Sequence, residues 1–159
     1  MSEGVRIAEQ LRRAFEGEAW HGPALMELLA GVGEREAAAR PLGRAHTIWE
    51  LLHHVAAWEA IALRRMRGER VVDVAQAEDW PPVVDQTAAA WARDLEAARQ
   101  GNARLRAAIA ELDEARLAAI VPGKDYDNYV LLHGVVQHDL YHAGQIALLK
   151  KELRTSQPT

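Results

Sequence analysis

The sequence contains no cysteine, only one phenylalanine and only three tyrosines among its 159 residues. The absence of cysteine excludes disulfide bonds, thiolate metal ligands and a cysteine nucleophile, and it is typical of cytoplasmic proteins. No apolar run reaches the ~18 residues that a membrane-spanning helix needs, and no secretory signal peptide is found. We therefore expect a cytoplasmic protein that does not cross a membrane.

The chain also has no excess of positive charge. Lysine and arginine number 19 against 23 aspartates and glutamates, which gives a formal net charge of −4. Such a chain has no broad basic surface, and this argues against nucleic-acid binding. The basic cluster RRMRGER at 64–70 is interpreted as a helix end, where cations suit the negative end of the helix dipole.

Alanine, leucine, arginine and glutamate dominate the composition, which favours helix over strand. Apolar residues recur with helical spacing in four long segments, at about 3–18, 47–67, 86–112 and 125–153. A short helix is expected after Pro23, and 69–84 forms a long connection that is expected to shape a site entrance. We predict an all-α four-helix bundle with long crossover connections, a single domain at 1–153 and a flexible tail at 154–159.

Two of the long segments carry further signals. Thr47 and Glu50 have the spacing of a capping box at a helix start, and Gly68 is suited to ending that helix. In the third segment Asn102 is the one polar residue on an otherwise apolar seam. It is expected either to reach a functional site or to set the register between helices.

The last segment includes HGVVQHDLYHAGQIALLK at 133–150, which places three histidines in ten positions. Residues 131, 135, 138, 142, 145 and 149 share one stripe of a helix, so His138 and His142 project from its apolar side, one turn apart. His133 lies elsewhere around the helix. The face that runs from Asn128 through Asp139 to Lys150 is interpreted as the polar one.

The second segment contains adjacent histidines. His54 shares its stripe with Leu51, Val55 and Trp58 and is expected to point inward, whereas the stripe of His53 has charges at both ends. Glu59 lies off the inner stripe. Three neutral imidazoles from two helices suit one face of a divalent metal site.

Further residues near these histidines have two readings. Trp58, Tyr141 and Gln145 lie one helical turn from His54, His138 and His142 respectively. They are expected either to pack the bundle or to line a pocket. His21 and His46 adjoin helix breaks and are interpreted as local turn or capping residues.

The segments HTIWELLHHVAAWE (46–59) and HGVVQHDLYHAGQIALLKK (133–151) together resemble the DinB/YfiT-like family of metal-dependent enzymes, and the resemblance covers nearly the whole chain. It implies a four-helix bundle and a divalent ion, usually zinc or nickel, bound by His54, His138 and His142. It also implies a homodimer, since family members are often dimers.

The resemblance does not select one reaction. A hydroxide on the ion makes the protein a hydrolase, whereas an external small-molecule thiol such as mycothiol or bacillithiol makes it a transferase or isomerase. Both reactions act on a small-molecule substrate, and the catalytic group is then a metal-bound water or thiolate. A non-catalytic metal- or ligand-binding stress protein and a helical scaffold without metal stay as alternatives.

Overall fold

The computed structural model describes residues 1–155, and within that range the chain forms eight helices and no strand. The helices are α1 (Glu3–Phe15), α2 (Leu25–Leu29), α3 (Glu34–Ala38), α4 (Ile48–Met66), α5 (Gln76–Asp79), α6 (Ala88–Ala110), α7 (Glu114–Leu117) and α8 (Asn128–Thr155). None of these helices combines the length and hydropathy that crossing a bilayer requires. The all-α prediction is confirmed.

The four long predicted segments correspond to α1, α4, α6 and α8. The capping box at the start of α4 is present. The Thr47 hydroxyl accepts from the Glu50 amide at 3.1 Å, and the Glu50 carboxylate accepts from the Thr47 amide at 2.9 Å. Just beyond the other end of α4, Gly68 has φ +93°, a left-handed conformation that glycine adopts without steric strain.

The ends of α8 differ from the prediction. The helix begins at Asn128 rather than near Asp125, because the Asp127 carboxylate accepts from the Val130 amide at 2.8 Å and caps the first turn. At its other end α8 continues to Thr155, so residues 154–155 of the expected flexible tail are helical. Residues 156–159 of that tail lie outside the described residues.

The long helices form a bundle in which α1 and α4 each pack against both α6 and α8. This arrangement puts α1 and α4 at diagonal corners. A close approach of α1 to α6 depends on Gly4, where an added Cβ would lie 2.5 Å from the backbone oxygen of Ile109. The short helices α2 and α3 cover α8 and α4 respectively.

Two apolar clusters fill the bundle. The first includes Phe15, Trp49 and Ile146, and the second includes Leu11 and Leu132.

Between the two clusters lies a layer of polar side chains. On α6, Asn102 is placed between Ala98 of the first cluster and Leu105 of the second. Glu59 on α4 and Asp139 on α8 are buried at the same level. The histidines described next lie beside this layer.

Candidate metal centre

Three histidines from α4 and α8 bring their ring nitrogens together. His138 Nε2 lies 3.0 Å from His54 Nε2 and 3.1 Å from His142 Nε2. Two nitrogens that are each about 2.0–2.1 Å from one ion, at angles from about 90° to the tetrahedral value, lie about 2.8–3.4 Å apart. The spacing therefore fits three ligands of a single ion, and these are the three residues that the sequence selected.

The ring of His54 is held by the residue that ends α5. Its Nδ1 donates to the Asp79 backbone oxygen at 2.7 Å, and the Asp79 Oδ1 is 3.2 Å from the same nitrogen. Because both oxygens can only accept, the proton is on Nδ1 and the lone pair on Nε2 faces the other histidines. Trp58 Nε1 donates to the same Oδ1 at 2.6 Å and fixes the carboxylate.

The ring of His142 is oriented in the same way. Its Nδ1 donates to Gln145 Oε1 at 2.9 Å, which leaves its Nε2 as an acceptor. A proton on His138 Nε2 satisfies one of the two facing lone pairs at most. A cation at the centre satisfies all three rings together, so the donor set fits a divalent metal.

The Nδ1 atom of His138 differs from the Nδ1 atoms of His54 and His142. His138 Nδ1 is buried and has no hydrogen-bond partner in the part of the chain that the structure describes. Asp139 Oδ1 lies 4.0 Å away, beyond hydrogen-bond distance. His138 is therefore positioned by packing rather than by a hydrogen bond on its outer side.

Burial favours the neutral form of all three imidazoles. It lowers the pKa of His54 and of His138, and it lowers the pKa of His142 to about 4. Neutral imidazole is the form that binds metal, so near pH 7 these rings do not need to lose a proton first.

The connection at 69–84 packs onto the cluster, but none of its residues lines the groove described below. The Trp80 ring is stacked between two imidazoles, with centroids 3.8 Å from His54 and 3.6 Å from His46. An ion pair between Arg64 and Glu78 ties α5 to α4. His46, interpreted from the sequence as a turn residue, is thus joined to the site through Trp80.

A groove of about 290 Å³ between α4 and α8 ends at His138. Of the four predicted pocket residues, Trp58 lines this groove. Gln145 orients His142 instead. Tyr141 is 66% exposed, with its ring edge-on to His142 at 5.0 Å, and it packs against the cluster from outside the groove.

Asn102 does not reach the groove or the histidines. It is fully buried and donates from Nδ2 to Glu59 Oε1 at 2.6 Å. Of its two expected roles, the structure favours the one within the bundle.

The interpretation of Glu59 and Asp139 as residues outside the inner stripes was wrong, since they are 2% and 0% exposed. Asn128, on the face expected to be polar, is also buried. The buried side of α8 is centred on Leu132, Asp139 and Ile146. This side is rotated around the helix axis from the stripe that the histidines suggested, by less than the ~100° that separates neighbouring residues.

The buried carboxyls favour protonation. Burial and the neighbouring Asp139 carboxylate raise the pKa of Glu59 well above its ordinary value, and burial raises the pKa of Asp139 to about 7. No spacing rule within one helix signals this pair, because its members are on different helices.

The other histidines are outside the cluster. His53, expected nearer the surface, is partly buried. Its Nε2 is 2.9 Å from Asp94 Oδ2, and its Nδ1 is 3.2 Å from the Pro81 oxygen, which links α4 to α6 and to the connection. His133 packs against Tyr129, with ring centroids 4.4 Å apart, and His21 is exposed.

A comparison with protein-family models matched residues 19–146 to the DinB superfamily. The chain belongs to the DinB superfamily. The matched range holds the whole of α2 to α7, most of α8 and all three clustered histidines of this DinB superfamily protein. No curated protein and no solved structure matched the chain.

Proposed function

We propose that this DinB superfamily protein is a metal-dependent enzyme in which His54, His138 and His142 hold one divalent ion, either zinc or nickel. The observation that carries the proposal is the convergence of three Nε2 atoms while two of the rings direct their Nδ1 protons to acceptors on the far side. Imidazole nitrogen suits both metals.

A divalent ion in this position supplies Lewis acidity and lowers the pKa of a water or thiol ligand. The chain's own residues orient the site. Asp79 fixes the ring of His54, Gln145 fixes that of His142, and Trp80 covers His54 from one side. The groove that ends at His138 gives a small molecule access to the cluster.

Hydrolysis of a small-molecule substrate is the first candidate reaction. The second is transfer or isomerisation with an external thiol, since the sequence has no cysteine. One observation favours the second: no carboxylate is found among the described residues that line the groove. A hydrolase usually needs a general base there, whereas a thiolate nucleophile does not.

Metal content tests the proposal. Protein purified without a histidine tag should contain about one equivalent of divalent metal per chain by elemental analysis. The variant His142→Ala should lose that metal and stay helical, whereas the loss of a purely structural ion would unfold the protein. His133→Ala is the matched control on the same helix and should keep the metal. Less than about a tenth of an equivalent in the wild type contradicts the proposal.

Activity assays on the metal-loaded protein separate the two reactions. Turnover of activated esters or amides without added thiol supports the hydrolase. Consumption of an electrophile only when a low-molecular-weight thiol is present supports the transferase or isomerase. A metal-loaded protein that shows neither activity supports the remaining candidate, a metal- or ligand-binding protein without catalysis.

The homodimer, the cytoplasmic location and the division into one domain with a short tail stay predictions. Light scattering of the purified protein measures the first of these directly.

A further inference from the structure

The groove between α4 and α8 has different chemistry at its two ends. One end is His138 of the cluster, and the other is formed by Arg65 and Tyr126. The wall between them includes Trp58 and Val135 and is mainly apolar. The guanidinium carbon of Arg65 lies 5.5 Å from the Trp58 ring centroid, and the Trp58 ring lies 5.9 Å from the His138 ring. The two ends are therefore close enough for one small molecule to touch both.

Arg65 is a buried cation, only 4% exposed. Its Nε donates to the Val71 oxygen at 3.1 Å, its Nη1 donates to the Tyr126 hydroxyl at 3.3 Å, and its guanidinium lies 5.5 Å from the Trp58 ring centroid. None of the ion pairs in the described part of the chain includes Arg65, whereas its neighbour Arg64 pairs with two glutamates. A buried charge without a counter-ion is unfavourable.

We propose that Arg65 and Tyr126 bind the carboxylate of a small molecule whose apolar body lies along the groove and whose other end reaches His138. The guanidinium fork matches the geometry of a carboxylate. The Tyr126 oxygen accepts from Arg65, so its own proton is available to a ligand oxygen. That this molecule is a substrate rests on the proposed function; that it binds does not.

The charge of the groove favours a carboxylate over a phosphate monoester. Arg65 is the one cationic side chain among the described residues that line it. A monoanionic carboxylate neutralises one positive charge, whereas a dianionic phosphate leaves a second negative charge buried.

Gly134 on α8 offers a way to close the groove. It lines the groove, and a Cβ added there meets no atom within 4 Å. A leucine at this position can therefore occupy the space of a ligand without displacing the backbone. Gly134→Ala is the smaller matched change, and replacing a helical glycine favours the helix.

The test is calorimetric titration of the full-length protein with octanoate and with its neutral analogue octanamide, both metal-free and zinc-loaded. Octanoate should bind at least about 10-fold more tightly than octanamide, because charge-assisted hydrogen bonds contribute that much. Arg65→Met should remove this preference, and Gly134→Leu should abolish binding of both. Arg104→Met, which removes an exposed arginine from α6, should change neither affinity.

Equal affinity for octanoate and octanamide overturns the proposal, and so does unchanged octanoate binding in a folded Arg65→Met variant. Tighter binding of octyl phosphate than of octanoate overturns the choice of carboxylate. If Arg65→Met fails to fold, Arg65→Lys and Gly134→Leu decide: the lysine should weaken octanoate binding by about 10-fold, since it keeps the charge but loses the fork. Octanoate selectivity in a protein that binds no metal leaves this proposal standing while the proposed function fails.

Discussion

The histidine cluster and the layer formed by Glu59, Asn102 and Asp139 are buried side by side, yet they satisfy their polar atoms differently. In the cluster, two Nδ1 atoms are hydrogen-bonded outward and three Nε2 atoms converge. In the layer, Glu59 Oε2, Asn102 Oδ1 and both Asp139 carboxylate oxygens meet no hydrogen-bond donor among the described residues, and Glu59 and Asp139 are close enough to interact with each other. The cluster has a geometry for one added cation, and the layer has an excess of acceptors.

The difference shows two ways in which a helical bundle can contain buried polar groups. The cluster presents lone pairs at one point, so a divalent ion is the species that stabilises it. The layer instead favours protons, since burial raises the pKa of Glu59 and of Asp139. Two regions in contact therefore respond to different ligands: metal for one and protons for the other.

The largest expected effect separates the two regions by metal affinity. His142→Ala removes a proposed ligand and should weaken zinc binding by more than about 100-fold, since changes in the groups that orient a ligand already reach 10–100-fold. Asp139→Asn changes the neighbouring layer and should stay within about 10-fold of the wild type. Competition with a chromophoric chelator measures both. Similar losses in the two variants contradict the separation.

The next effect is on the pH dependence of stability in the metal-free protein. The pKa of His142 is lowered from 6.5 to about 4, so its contribution to stability is present above pH 6.5 and is lost as the pH falls to about 4. The pKa of Asp139 is raised from 3.8 to about 7, so its contribution is present at low pH and is lost as the pH rises through about 7. As the pH rises, the His142 contribution therefore increases the free energy of unfolding, whereas the Asp139 contribution decreases it.

Single variants should reveal how each group changes the free energy of unfolding with pH. For one proton this change is at most about 1.4 kcal/mol per pH unit. In Asp139→Asn the free energy of unfolding should fall more steeply than in the wild type from about pH 6.5 to 4. In His142→Ala it should fall more steeply from about pH 4 to 7. Urea denaturation with a chelator present measures both, and parallel profiles for all three proteins would show that these groups do not titrate as described.

A smaller effect tests the layer alone. Asn102→Ala removes the donor to Glu59 Oε1 and leaves a buried acceptor unpaired, which should lower the free energy of unfolding by about 1–3 kcal/mol. Zinc affinity should not change. Gln100→Ala, an exposed position on the same helix, is the control and should stay within about 0.5 kcal/mol of the wild type. A loss of zinc binding in Asn102→Ala would show that the layer contributes to metal binding by the cluster.

The smallest effect concerns orientation within the cluster. Gln145→Ala removes the acceptor for His142 Nδ1 and should weaken zinc binding by about 10-fold, less than the loss of the ligand itself. The helix should be unaffected, since alanine has high helix propensity. Chelator competition measures the affinity, and circular dichroism measures the helix content. An affinity equal to that of the wild type shows that packing alone orients His142.

The sequence predicted the four long helices and the three histidines because both depend on spacing along one chain segment. Helical periodicity decides which side chains share a face, and it placed His138 with His142 and turned His54 inward. Arg65 was within reach of the same reasoning, since it continues the stripe that includes His54 and Trp58. Its position at a helix end gave it another explanation, as a cation at the negative end of the dipole.

The residues whose positions the sequence did not predict correctly are positioned by contacts between different helices. Whether Asp139 is buried depends on how α8 is rotated against α1 and α4, and a rotation smaller than the ~100° between neighbouring residues moves it from the surface to the core. Trp80 was expected only as part of a loop that shapes the site. Its stacking between two imidazoles depends on where α5 packs.

For this protein the sequence alone determined the four long helices, the capping box of α4 and the inward direction of the three histidines, because these follow from periodicity and capping chemistry within short segments. Tertiary structure decided the contacts of His54 with Asp79, of Glu59 with Asn102 and of Arg65 with Tyr126. These partners are far apart in the chain, and no local spacing relates them. Their contacts depend on the packing that buries the apolar faces of the bundle.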